Sequence, residues 1–216
     1  MSETTSPAPS TRRSVWRNPF VWAFFLGIVT LTLIRPLLKH VPPPPPVVAQ
    51  VPVFELIDSQ GRPFGSEELA GRVYVANFIF TRCGSICPVL TRAMARLAER
   101  YEENGVDEIH LVSFSVDPEY DTPEVLRKYG EVHEIDPERW TLLTGDPAEV
   151  RRTVVGGFKT AVGEVVPLGE HLVDIAHTGK FILVDRTGGV RGYYDSDEPG
   201  LDEIFHRSRH VLDERR

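Results

Sequence analysis

Apolar residues recur along this chain in two alternating rhythms. Short, nearly unbroken runs rich in branched and aromatic side chains stand between stretches whose apolar positions fall three and four residues apart. That alternation predicts an α/β domain. RVYVANFIF, residues 72–80, reads as a buried central strand, and IHLVSFSV, 109–116, and KFILVD, 180–185, as two further core strands. VPVFELID, 51–58, followed by Ser59-Gln60-Gly61-Arg62 and Pro63-Phe64, predicts a hairpin with Gly61 in the turn. Helices announce themselves by their starts. Asp146-Pro147-Ala148-Glu149 combines a capping residue, a first-turn proline and a carboxylate, and Thr122-Pro123 opens a second helix through Val125, Leu126 and Tyr129. A third follows Pro88, with Leu90, Met94, Leu97 and Tyr101 along one face. It leaves the central strand directly, and two cysteines occupy the strand-to-helix turn.

Ahead of this domain the pattern changes. A polar, basic tail, residues 1–18, runs into PFVWAFFLGIVTLTLI, uncharged from Pro19 to Ile34. This run falls slightly short of the roughly 20 residues that a spanning helix uses. Leu37 and Leu38 extend it past Arg35, whose long side chain can reach the headgroups, so residues 19–38 read as a single transmembrane anchor. A cleaved signal peptide fits less well, because the small-residue site at Val47-Val48-Ala49 lies beyond five prolines, Pro42 to Pro46. Residues 39–50 then form a proline-rich, semi-rigid linker, and 51–216 the soluble domain. Arg12, Arg13 and Arg17 before the run, against Arg35 and Lys39 after it, favour an N-terminus inside. The expected location is the inner, cytoplasmic membrane, with the soluble domain on the extracytoplasmic, periplasmic side. The net charge of -7 and the lack of a dense Lys/Arg cluster exclude nucleic acid as the expected partner.

The chain has two cysteines, Cys83 and Cys87, in the segment TRCGSICP. Three accounts of the pair stand open. A structural disulfide would close a very short loop and stabilise by only about 2 kcal/mol, which a domain of this size does not need. Redox catalysis suits thiols at a helix N-terminus, where the helix dipole favours thiolate, yet three residues separate these two rather than the two usual in redox dithiols. A soft metal is the third account, since two converging thiolates and one imidazole suit copper(I). His177, just before the strand KFILVD, is the candidate third ligand, with His171 its rival. Together Cys83, Cys87, His171 and His177 would also make a four-ligand zinc set. His206 and His210 read as solvated, and His40, His110 and His133 have no partner motif.

Three ordered segments resemble the Sco/SenC family. Its T-x-C-x-x-x-C-P motif stands here as Thr81-Arg82-Cys83-Gly84-Ser85-Ile86-Cys87-Pro88. Its S-V-D-P-E-x-D-T-P segment runs from Ser115 to Pro123, and its histidine-bearing strand from His177 to Asp185. The resemblance implies a thioredoxin-like domain, with a central mixed sheet flanked by helices, behind one N-terminal transmembrane helix. It implies copper bound by Cys83, Cys87 and His177, in a metallochaperone that serves the binuclear copper centre of cytochrome c oxidase subunit II. It also implies an alternative, a membrane-anchored thiol-disulfide oxidoreductase in which Cys83 and Cys87 are catalytic and reduce the cysteines of that copper site. Asp117 and Asp121 match acidic family positions, with docking of a partner and a solvated helix start as their two open readings.

Overall fold

The computed structural model describes residues 19–34, 43–84, 86–163, 165–167, 173–175 and 178–214. The chain divides into two units, 1–42 and 43–216. In the first, α1 (Pro19–Ile34) is apolar around its whole circumference. A helix of this length spans about 24 Å against a hydrocarbon core of about 30 Å. Among the described residues no helix is long and apolar enough to cross a membrane. The predicted extension to residue 38 lies outside the described residues.

The second unit follows the predicted alternation. In chain order it contains β1 (Ala49–Gln50), β2 (Glu55–Asp58), β3 (Pro63–Gly65), β4 (Val73–Ile79), α2 (Cys87–Glu103), β5 (Ile109–Ser115) and α3 (Pro123–Val132). Then come β6 (Trp140–Thr144), α4 (Pro147–Arg151), a π-helical turn (Arg152–Gly157), β7 (Val165–Pro167), β8 (Val173–Ile175), β9 (Phe181–Val184), β10 (Gly189–Tyr194) and α5 (Glu198–Asp213). Among the described residues, eight strands form one sheet in the order β1-β10-β9-β4-β5-β6-β2-β3, and β7 and β8 pair separately. β4 is parallel to β5 and antiparallel to β9, so the sheet is mixed.

β4 lacks alternation because helices or loops cover both its faces. Val73, Val75 and Ile79 pack against Leu90, Met94, Leu97 and Leu126 and against Leu201, Ile204 and Phe205, from α2, α3 and α5. Tyr74, Ala76 and Phe78 face Phe54, Leu56, Val150, Val154 and Phe158 on the other side. The predicted face of α2 is the buried one, and the Tyr101 hydroxyl meets Ser208 Oγ of α5 at 2.7 Å. The β2–β3 hairpin turns at Gly61, whose φ of 79° is left-handed. The buried Asp58 carboxylate accepts from the amides of Gln60 and Arg62 at 2.8 and 2.9 Å and fixes that turn. β1 lies within the stretch read as linker. It pairs with β10, and Arg191 Nη1 donates to the carbonyl of Pro45 at 2.6 Å.

Candidate metal and dithiol site

β4 ends where the backbone must turn from sheet to helix, and the two cysteines bracket that turn. The Cys83 amide donates to the Phe80 carbonyl at 3.2 Å. α2 begins at Cys87, with Pro88 in its first turn, where a missing N–H costs nothing. The Cys87 amide donates to Cys83 Sγ at 3.4 Å, so the helix start points at the first thiol. Both cysteines are buried, Cys83 7% and Cys87 1% exposed, in a core cluster with Phe80, Val116 and Ile175. Burial pushes the Cys87 thiol far above its ordinary range, and its hydrogen bond with Cys83 adds to that shift. Desolvation therefore outweighs the thiolate preference expected of a helix N-terminus.

The residues beside Cys83 are tied down by the segment after β5. Asp121 is fully buried and accepts from the Thr81 amide at 3.1 Å, from the Thr81 hydroxyl, and from Ser115 Oγ at 2.6 Å. Burial raises its pKa, and these hydrogen bonds oppose the rise. Arg82 donates to Asp117 Oδ2 at 2.6 Å, while its guanidinium lies 4.2 Å from the centre of the Tyr120 ring. The solvated helix-start reading of these acids thus needs correction. Asp117 and Asp121 are neither solvated nor turned outward; they hold the stretch that carries Cys83. Thr81, Arg82 and Ser115 join the site through them, and adjacency to the cysteine and acidic motifs was the signal that could have found them.

His177 and His171 lie outside the described residues. The described chain on either side of His177 approaches the dithiol: Ile175 shares the cysteines' core cluster, and Gly179 packs against Ile86. Among the described residues, no group of three or more His, Cys, Asp and Glu is placed to hold a metal ion. The other described histidines are elsewhere. His206 is exposed beside Asp202, and His210 is half-buried rather than solvated. His133 ends α3 and lies against Tyr129, ring centroids 4.3 Å apart.

His110 sits at the opposite end of the parallel strands from the cysteines, buried and 2.8 Å from Thr141 Oγ1. Burial, aided by Arg72, lowers its pKa from 6.5 to about 4. Below pH 6.5 the unfolded chain gains a proton that the folded one refuses until about pH 4. Stability is therefore expected to fall across that window, by up to roughly 3 kcal/mol from this group. Asp121 acts with the opposite sign, since its raised pKa favours the folded form as pH falls. Urea unfolding at pH 7 and 4.5 is expected to show a smaller acid loss in His110→Gln than in the unaltered chain; an equal loss would remove His110 as the cause.

A buried thiol pair at the turn from the central strand of a mixed sheet, with an antiparallel strand beside it, defines a thioredoxin-like dithiol protein. Residues 45–213 match the SCO1/SenC family, and the chain belongs to it. The SCO1 protein homolog of Bacillus subtilis (strain 168) is 33% identical over 154 residues, covering 71% of this chain and 77% of that relative. BsSco, a Sco family cytochrome c oxidase assembly protein in which a disulfide switch was identified, superposes with a TM-score of 0.70 and 29% identity. The match covers 81% of this chain and 99% of that one. Bradyrhizobium japonicum ScoI, solved with copper bound, gives 0.65 and 25% over 76% of this chain and 100% of its own. The thioredoxin-like mixed sheet expected from the sequence is therefore the fold found.

Proposed function

We propose that this chain is a copper(I)-binding metallochaperone for assembly of the binuclear copper centre of cytochrome c oxidase subunit II. The observation that carries this reading is the pair of thiols in one short turn, with the Cys87 amide aimed at Cys83 Sγ. Two soft donors so close suit copper(I), and a Sco relative has been solved with copper bound. Cys83 and Cys87 supply the thiolates and His177 the imidazole. The approach of Ile175 and Gly179 to the cysteine turn supports the choice of His177. The thiols are buried, and they must stay reduced to hold the metal. Residues 19–38 anchor the chain in the inner membrane, and the start of the proline-rich stretch leads from the anchor to the domain, which faces the periplasm.

A second reading, a thiol-disulfide oxidoreductase acting on the oxidase copper site, draws support from the same proximity and from the disulfide switch in BsSco. His177 separates the two, because thiol exchange needs only the sulfurs. In cells lacking the native gene, His177→Ala is expected to leave oxidase activity low, with partial rescue by added copper. Full activity with His177→Ala, or rescue by an external thiol reductant and not by copper, would favour the oxidoreductase.

A further inference from the structure

Ile86 is an unusual residue for its place. It caps the N-terminus of α2, a position that favours Ser, Thr, Asp or Asn, and it makes no side-chain capping bond. Its carbonyl already serves the helix, accepting from the amides of Val89 and Leu90 at 2.9 and 3.0 Å. The side chain is 42% exposed, directly before a cysteine that is 1% exposed. What it does instead is visible at Gly179. A Cβ placed on Gly179 would lie 3.0 Å from Ile86 Cδ1, tighter than ordinary packing, and 3.9 Å from Leu90 Cδ2, an ordinary contact. Gly179 is absent from the described glycines of positive φ, so backbone conformation does not demand glycine here. What a Cβ there meets is the end of the Ile86 side chain, which would have to give by a few tenths of an ångström.

We infer that Ile86 and Gly179 form a fitted latch that sets how closely the segment after His177 lies against the dithiol turn, and so controls access to Cys83 and Cys87. Both are positioning residues; neither is a ligand. The copper arm of this inference rests on the proposed function, whereas the access arm needs only the thiols. Adding a methyl at residue 179 requires Ile86 or residues 178–180 to give by a few tenths of an ångström, in the turn that carries the two buried thiols. Removing Cδ1 from Ile86 returns the space.

The test uses the full chain in detergent, where the two cysteines are the only thiols. Iodoacetamide alkylation rates report access, and competition with bicinchoninate reports copper(I) affinity. Gly179→Ala is expected to speed alkylation and weaken copper(I) binding by about fivefold or more each, the low end of overpacking strain expressed as a ratio. Ile86→Val in the same chain should bring both back to near the unaltered values, which a merely destabilising change at residue 179 would not allow. Gly179→Ala values equal to those of the unaltered chain, or a double variant no better than Gly179→Ala alone, would overturn the latch. Should Gly179→Ala fail to fold, Ile86→Ala opens the same contact by truncation, and an unchanged alkylation rate there overturns it equally. An unaltered chain that takes up no copper(I) sinks the copper reading, while the alkylation rates still decide the latch.

Discussion

Cys83→Ser and Cys87→Ser are each expected to lower copper(I) affinity by more than about a hundredfold, the equivalent of about 3 kcal/mol. A hydroxyl is nearly the size of a thiol but is a hard, neutral donor, so either change removes half of the soft ligand pair. The two substitutions should not differ greatly, since both sulfurs belong to one turn, joined by the contact from the Cys87 amide to Cys83 Sγ. Folding should survive, at a cost of about 1–3 kcal/mol if the new hydroxyl lacks a partner in its buried site. Competition with a copper(I) chelator, alongside urea unfolding of the same variants, measures both quantities. Retention of near-full affinity by either folded variant would remove that cysteine from the ligand set.

Asp121→Ala is expected to cause the largest loss of stability, about 3–4 kcal/mol, because it strips the acceptor from three donors around a fully buried carboxyl group. For a domain of this size that loss corresponds to a fall in Tm of about 10 °C. The stretch before Cys83 should loosen with it, since the Thr81 amide and hydroxyl both end on Asp121. Asp117→Ala should cost less: its partner Arg82 is 25% exposed, can turn to water, and keeps its position over Tyr120. Calorimetry of the two variants checks the order. Equal and small losses would mean that Asp121 does not hold the turn.

The contrast between these two acids shows where the sequence is legible and where it is not. Signals carried by local chemistry were readable. Thr122 Oγ1 accepts from the Val125 amide, and Asp146 Oδ1 from the amides of Ala148 and Glu149, as their capping patterns predict. Leu90, Met94, Leu97 and Tyr101 declare the buried face of α2 by spacing alone. Elements whose form depends on distant partners were not readable. β6 is a five-residue run stabilised by its pairing with β5, and Trp140 Nε1 donates to Ser113 Oγ within that pairing. β10 carries Arg191 and Gly192 at an irregularity in its register, which hides its strand character. α5 shows Asp197 and Pro199 at its start and Leu201, Ile204, Phe205 and Val211 on its buried face, but its charges suggest a solvated tail. Asp117 and Asp121 are the same case in the site itself: charge gives no warning of burial when compensating donors, here Thr81 and Arg82, are remote in sequence. Ile86 and Gly179 likewise acquire meaning only once the chain brings them together.

On the proposed function, two cysteine sulfurs and one histidine nitrogen hold the copper(I) ion. Copper K-edge X-ray absorption on the reduced, copper(I)-loaded full chain tests this most directly, with His177→Ala recorded beside it. The expected spectrum shows two sulfur neighbours at thiolate distance and one nitrogen neighbour, and His177→Ala loses the nitrogen while keeping both sulfurs. A nitrogen neighbour that persists in His177→Ala, or a copper ion with no sulfur neighbours, would contradict the assignment of Cys83, Cys87 and His177.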